Sequence, residues 1–289
     1  MTGALGRAVD HLSLLKPRVT LLVVATAAAG MASAVPRPEP LHGLAVLLAI
    51  GLLAGSANAL NCWLERDSDA RMERTRRRAL PAGRISPRSG LLFGLGAGAL
   101  ALAVLTAGTQ PVTVVLGAVA LGTYVGVYTP LKRVTPWALH IGAVPGALPA
   151  LMGRTAVLGH IDAVGLALFS VLLLWQVPHF LAIAIRRRDE YARAGLRTVP
   201  VVQGETVARA QAFVAAAVLL PAGLLPAWLG AAGTAFAAGA LVLGVALLAL
   251  AARGLLRPAD RRWPALLFGG SVAHLALYVL LFVVDVRPG

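Results

Sequence analysis

The 289-residue sequence predicts an all-α fold: a polytopic membrane protein of nine transmembrane helices, with residues 1–289 forming a single domain. Three observations carry that expectation. Hydrophobic residues make up 58% of the chain and charged residues 13%, where a soluble domain holds about 45–50% and about 25%. The apolar residues fall in long uninterrupted blocks, which span a bilayer as helices, whereas a barrel would show short alternating segments. The cations, finally, collect between alternate blocks. A pI near 11.5 would suit a nucleic-acid partner, but it accompanies a mean hydropathy of +0.79, which DNA-binding domains do not combine. The expected partner is the lipid bilayer, and no nucleic acid.

The first block, Val19–Val35, ends in Ala32-Ser33-Ala34, which looks like a signal-peptidase site. A long polar lead containing Asp10 and the blocks that follow favour an uncleaved span. Gly43–Leu60 is the second span, and Leu91–Ala107 and Pro111–Tyr128 are the third and fourth. Ala138–Leu158 and Ala163–Ile185 are the fifth and sixth. Ala210–Leu229 and Ala231–Ala252 are separated mainly by Gly230, and Pro264–Val284 closes the series. Ala, Gly and Leu fill these blocks, which suits close helix contact in lipid. The longest polar stretch, Glu65–Ser89, leaves no room for a soluble domain. The single cysteine, Cys62, excludes an internal disulfide and reads as a packing residue.

If the N-terminus and every second loop share a side, that side holds 23 of the cations and the other holds Arg37, Arg154 and Arg287. The asymmetry predicts a cytoplasmic N-terminus and cytoplasmic basic loops. Topology asks for no acids, yet six of the twelve lie in two of these loops: Glu65, Asp67, Asp69 and Glu73, then Asp189 and Glu190. Asn61, Glu65 and Asp69 are spaced i, i+4, i+8, one face of a continuing helix. Three oxygen-bearing side chains there make a hard-cation site of the kind Mg²⁺ uses with substrate phosphates. The same spacing also describes a solvated helix end paired with its own arginines, such as Asp67 with Arg71.

The second cluster, Arg186-Arg187-Arg188-Asp189-Glu190-Tyr191, follows a span four places later, which suggests a duplicated four-helix unit. Two acidic loops flanked by arginines can hold a Mg²⁺-bridged diphosphate, the acids taking the metal and the cations the phosphate oxygens. Between them lies the turn Tyr128-Thr129-Pro130-Leu131-Lys132-Arg133. His179, beside Pro178 inside the sixth span, is the sharpest single residue, because ionisable groups at that depth are functional by default. It can meet a bound ligand, or simply bond a carbonyl freed by Pro178. His140 opens the fifth span with similar standing, and His274 reads as a core hydrogen bond. Trp63, Trp137 and Trp263 read as interface anchors, and Trp175 as packing against substrate or a neighbouring helix.

Asn61-x3-Glu65-x3-Asp69, followed by Met72-x-Arg74-Thr75-Arg76-x-Arg78-x-Leu80, resembles the first signature of the UbiA family of intramembrane prenyltransferases. The resemblance runs through Leu15-Lys16-Pro17-Arg18-Val19, Gly83-Arg84-Ile85-Ser86-Pro87, Tyr128-Thr129-x2-Lys132-Arg133 and Gly146-Ala147-x-Pro149 to Pro200-Val201-Val202. Trp175-Gln176-x-Pro178-His179-Phe180 and Asp189-x-Tyr191-x2-Ala194-Gly195 resemble the heme-modifying branch of that family. The chain departs from the pattern in three places. Glu65 stands where the family usually has Asp, Ala138 where Asn is frequent, and Asp189-Glu190 is leaner than the usual aspartate motif.

The resemblance implies a UbiA-like bundle of two four-helix halves plus one helix, in the inner (cytoplasmic) membrane. It implies transfer of the farnesyl group of farnesyl diphosphate to a vinyl group of heme B, with Mg²⁺ as cofactor and addition of water. Asn61, Glu65, Asp69 and Asp189 would hold the metal, and Lys132, Arg133 and Arg78 would neutralise the leaving charge. Tyr124 or Tyr128 would face the allylic cation. Arg74, Trp175, His179, His140, Asp189, Glu190 and Tyr191 would line the substrates, and heme A synthase or a terminal oxidase would be the partner. The rival expectations are prenyl transfer to a quinone or chlorin precursor and, in another class, small-anion transport or lipid binding.

Overall fold

Proline suits a helix N-terminus, where the amide hydrogen it lacks would go unused, and it opens many of the helices in the computed structural model, which describes residues 3–287. A short α1 (Ala4–Leu14) precedes α2 (Pro17–Ala32), and α3 (Pro40–Leu64) runs into the single turn α4 (Arg66–Asp69). Next come α5 (Pro87–Gly108) and α6 (Pro111–Gly122), which continues through a π-helical stretch (Thr123–Tyr128) into α7 (Thr129–Leu131). The second half holds α8 (Ala138–Leu158), α9 (Ala163–Arg186), and the short α10 (Arg188–Arg193) and α11 (Val199–Val202). Finally α12 (Glu205–Trp228), α13 (Thr234–Leu256) and α14 (Trp263–Val284) close the bundle.

Among the described residues, eight helices are long and apolar enough to cross a membrane, and α1 with α2 makes a ninth if the bent pair counts as one. That pair corrects the expected first span. The helix stops at Ala32 rather than Val35, and the polar lead is itself helical, bent by 50° from α2. The break follows from chemistry at one position. Pro17 disfavours helical backbone at the residue before it, and Lys16 takes the left-handed conformation at φ 48°. Leu5, Val9 and Leu12 are exposed along one face of α1, the pattern of a helix lying along a membrane surface. The eighth span also starts later than expected, because Ala232 pairs with Val286. There the Phe236 amide donates to Asp285 Oδ2 at 2.8 Å and caps α13.

The helices divide into two four-span halves and a closing helix, interlocked by α8. One buried cluster joins α2, α3, α5 and α8 through Ala27, Ile50, Leu105 and Met152. The other joins α8, α9, α12, α13 and α14 through Ala147, Val171, Leu219, Leu247 and Leu267. In lipid such association rests on close packing rather than on the hydrophobic effect. Where α2 crosses α8, a side chain on Gly30 would strike the Ala150 carbonyl, and one on Gly153 the Ala27 carbonyl. Only glycine allows that approach. Cys62 is buried among Leu14, Ala59 and Ala79, as a packing residue. Trp263 is not an interface anchor: it is fully buried, with Nε1 donating to the Leu250 carbonyl at 2.7 Å and Arg209 4.6 Å over its ring.

At the end of the bundle away from most of the arginines, Arg154 on α8 is 4% exposed and reaches Asp162 at 2.7 Å. It also donates to the Ser33 carbonyl and, at 2.9 Å, to Ser33 Oγ. Asp162 in turn accepts from the Gly165 amide at 3.0 Å and caps α9. One guanidinium therefore ties α2, α8 and α9. Burial opposes ionisation of Asp162, but Arg154 and the Gly165 amide outweigh it and hold the carboxyl below its ordinary pKa. A depressed pKa contributes stability above the ordinary carboxylate range and loses it as pH falls through the lowered value. Asp162→Asn leaves Arg154 without its counter-charge and should destabilise the protein in detergent by about 3 kcal/mol at neutral pH. In thermal unfolding, the gap from wild type should close as the pH drops below the ordinary aspartate range, about pH 4.

Candidate active site

The site grows from two facing ladders. Asn61 lies in the last turn of α3, where the helix kinks at Glu65, yet the i, i+4 hydrogen bonds continue. Glu65 N donates to Asn61 O at 2.9 Å and Asp69 N to Glu65 O at 2.7 Å. The side chains of Asn61, Glu65 and Asp69 thus remain on one face, as the spacing predicted. Opposite them, the π-helical stretch and α7 present Tyr124, Tyr128 and Lys132 at the same interval. The ladders join where Asn61 Nδ2 donates to Thr129 Oγ1 at 3.1 Å, and Thr129 donates to the Tyr124 carbonyl at 2.8 Å.

Every oxygen ladder rung has a cation. Lys132 Nζ lies 2.9 Å from Glu65 Oε1, Arg78 Nη1 2.6 Å from Asp69 Oδ2, and Lys16 Nζ donates to Asn61 Oδ1 at 3.3 Å. Thr75, donating to the Asp69 carbonyl at 2.8 Å, folds the loop back so that Arg78 can reach. Lys132 also sits 4.3 Å over the Tyr128 ring. Burial works against its charge, but Tyr128 and Glu65 outweigh burial and hold the ammonium above its ordinary pKa. These groups stand at the mouth of a cavity of about 1120 Å³ that runs down past Tyr124 to Ile50, Leu53 and Met152. The chamber has a charged head and an apolar body.

On its far wall, His179 stacks on Trp175 with ring centroids 4.8 Å apart, and Phe268 lies 5.0 Å from His179. Both rings of the stack are latched to Ser271 on α14. Trp175 Nε1 donates to the Ser271 carbonyl at 2.7 Å, and His179 Nδ1 lies 2.9 Å from Ser271 Oγ. The serine hydroxyl already donates to the Phe268 carbonyl at 2.8 Å. Its oxygen therefore accepts from His179, which makes Nδ1 the protonated nitrogen and leaves the Nε2 lone pair free. His179 does not bond a carbonyl freed by Pro178.

Arg74 and Tyr191 also line the cavity, and the two acidic loops meet as expected. Met72, Ala194 and Leu196 pack together with Tyr191, while Glu190 accepts from the Arg74 amide at 3.4 Å and pairs with Arg187 at 3.0 Å. Four expected residues stand elsewhere: Glu190, held by the Arg74 amide and Arg187, lines a neighbouring cleft and not the chamber. Asp189 follows the break between α9 and α10, is exposed, and lines the same cleft instead of the ladder. Arg133 points away from its neighbour Lys132 and donates to Ser68 Oγ at 3.0 Å. His140 is one helical step off the cavity-facing positions Leu139 and Gly142 and lies against Trp137 at 5.2 Å. Its buried Nδ1 has no partner, and neither has that of His274. Sequence reasoning gave no role to Lys16 or Ser271, and counted Arg186 only among the cations flanking the second acidic loop. The signal for Lys16 was its rarity: the chain has two lysines, and both reach this site.

Asn61, Glu65 and Asp69 offer hard oxygen donors only, and among the described residues no group of three or more His, Cys, Asp or Glu side chains could hold a metal. That donor set fits a hard cation whose shell is completed by phosphate oxygens, the habit of Mg²⁺.

A charged head over an apolar chamber, within a bundle of membrane-crossing helices, fits a membrane-embedded transferase of the isoprenoid class. The chain belongs to the UbiA prenyltransferase family, whose model matches residues 22–278. It is 48% identical over 282 residues to the protoheme IX farnesyltransferase of Anaeromyxobacter sp. (strain Fw109-5), covering 97% of this chain and 95% of that protein. It is 45% identical over 279 residues to the protoheme IX farnesyltransferase of Myxococcus xanthus (strain DK1622), covering 96% and 95%. A UbiA homolog from Archaeoglobus fulgidus bound to GPP and Mg²⁺ superposes with TM-score 0.69 at 20% identity over 94% of this chain and 98% of that one. A digeranylgeranylglyceryl phosphate synthase structure superposes with TM-score 0.82 at 14% identity, covering 97% and 98%. At those identities the two structures establish the fold.

The Ser271 latch has a direct readout. In ¹⁵N-histidine spectra of the solubilised protein, His179 should be the Nδ1–H form. Ser271→Ala should release it toward the Nε2–H form, and Ser271→Thr should restore it.

Proposed function

We propose that this chain transfers the farnesyl group of farnesyl diphosphate to a vinyl group of heme B, with addition of water, to form heme O. The observation that carries the reading is the ladder of Asn61, Glu65 and Asp69 faced by Lys16, Lys132 and Arg78 at the head of an apolar chamber. The acceptor follows from the relatives named protoheme IX farnesyltransferase and from the Trp175–His179–Phe268 wall.

The diphosphate lies at the charged mouth and the farnesyl chain along the apolar body. Asn61, Glu65 and Asp69 are the residues to hold Mg²⁺, which when bound supplies Lewis-acid stabilisation of the leaving group. Lys132 and Arg78 turn from their carboxylates to the diphosphate oxygens and neutralise charge as the C1–O bond breaks, the preorganised electrostatic work that dominates such reactions. Tyr124 and Tyr128, 5.1 Å apart, turn ring faces toward the allylic cation. The vinyl carbon attacks C1, and water captures the resulting cation with loss of a proton. His179 offers its free Nε2 lone pair to the heme iron; bonding a propionate there would instead require Nε2 to carry a proton. The arginine-rich end faces the cytoplasm across the cell's inner membrane. The product is of the kind that a heme A synthase or a terminal oxidase takes up.

Asp69→Ala and Lys132→Ala should each abolish turnover while leaving the protein folded in detergent. The assay is incubation of membranes with heme B, farnesyl diphosphate and Mg²⁺, with the product identified by mass. Formation of heme O at the wild-type rate by Asp69→Ala would refute the metal assignment. His179→Ala should shift the Soret band of bound heme if Nε2 is on the iron, and an unchanged band would remove that role.

A further inference from the structure

Beside the main cavity lies a second cleft of about 990 Å³, lined by seven arginines and by Glu73, Asp189, Glu190 and Glu205. Positive-inside topology calls for cations in these loops, but not for their enclosure around a cleft. Three of the arginines, Arg74, Arg186 and Arg187, line the main cavity as well. They form the wall between the two spaces. Some of the guanidiniums are engaged: Arg187 with Glu190 at 3.0 Å, Arg209 with Glu205 at 3.3 Å and Arg188 with Glu205 at 3.9 Å. Among the described residues, the side chains of Arg74, Arg186, Arg193 and Arg261 have no carboxylate within ion-pair distance.

We infer that this cleft receives the two carboxylates of the porphyrin acceptor, while the macrocycle and its reacting vinyl group occupy the main cavity. The inference rests on the proposed acceptor. A carboxylate drawn into an apolar chamber is tolerated only when paired. Lys16, Lys132 and Arg78 are already committed to the diphosphate ladder, so the acceptor's charges need other cations. Arg186 is the bridge. It stands 5.6 Å over Phe268, which also meets His179. It follows His179 by seven residues on α9, the same helix face about 10 Å nearer the basic end. A flat ring resting on Trp175, His179 and Phe268 therefore has an arginine beyond its edge. The cleft's three surplus cations suit two single negative charges. Its own four carboxylates make it a poor second site for a diphosphate.

The test is Soret titration of the purified full-length protein with heme B and with heme B dimethyl ester, which keeps the ring and iron but lacks the charges. Wild type should bind the diacid about tenfold more tightly than the ester. Arg193→Gln with Arg261→Gln, which line only the cleft, should cut that preference at least about threefold. Affinity for the ester and for farnesyl diphosphate should not change. Equal wild-type affinity for diacid and ester would overturn the inference, as would a preference untouched by the double variant. So would its loss on adding phosphatidylglycerol vesicles, which would assign the cleft to lipid headgroups. Each of these results leaves heme binding, and so the proposed acceptor, intact. Failure of both forms to bind saturably would remove the proposed acceptor and this inference with it.

Discussion

Lys132 and Glu65 come from different halves of the first four-span unit and meet 2.9 Å apart at the head of the chamber. The site depends on that contact. A carboxylate in a low-dielectric setting is tolerable only with a counter-charge, and the apolar body below the ladder offers none. Each acidic or amide rung therefore recruits a cation from a distant segment: Lys16 from the bend between α1 and α2, Arg78 from the returning loop, Lys132 from the end of the fourth span. The same requirement folds the loop after α4. Thr75 anchors it to the Asp69 carbonyl so that Arg78 lands on a carboxylate 1% exposed. The ion pairs shape the polar end of the molecule.

The ladders also explain two departures from regular helix. The π-helical stretch at Thr123–Tyr128 offsets the face of the fourth span, so that Tyr124, Tyr128 and Lys132 look across at α3. Such local widening recurs at functional sites. At Lys16, the left-handed residue before Pro17 delivers an ammonium to Asn61 that a straight helix would aim elsewhere. In both cases backbone irregularity sets side-chain direction.

Much of this was legible in the sequence because lipid is an exacting solvent. It demands long apolar blocks, so the spans could be read, and it penalises stray acids, so Asn61, Glu65 and Asp69 stood out by scarcity. The meeting of the two acidic loops followed from their equivalent positions. What stayed hidden depended on helix phase or on partners far along the chain. Asp189 and His140 carry the right chemistry, but a helix break turns one away and a single step of rotation removes the other. Ser271 is an unremarked serine in an apolar span until the fold sets it against Trp175 and His179. Arg154 counted as one of three cations on the far side, and its grip on Ser33 and Asp162 had no local signature. Trp263 has the composition of an interface residue and the burial of a core one.

The crossing of α2 over α8 sets a limit of another kind. Elsewhere on the bundle, outward-facing Leu, Val and Ala can exchange with one another, since the membrane asks only that they be oily. At Gly30 and Gly153 the two backbones touch, and a single methyl group would meet a carbonyl. At those two positions descendants of this sequence have little freedom to wander, although neither carries a functional atom. Their constraint is inherited from the seam between the halves, and the chemistry at the mouth leaves no mark on it.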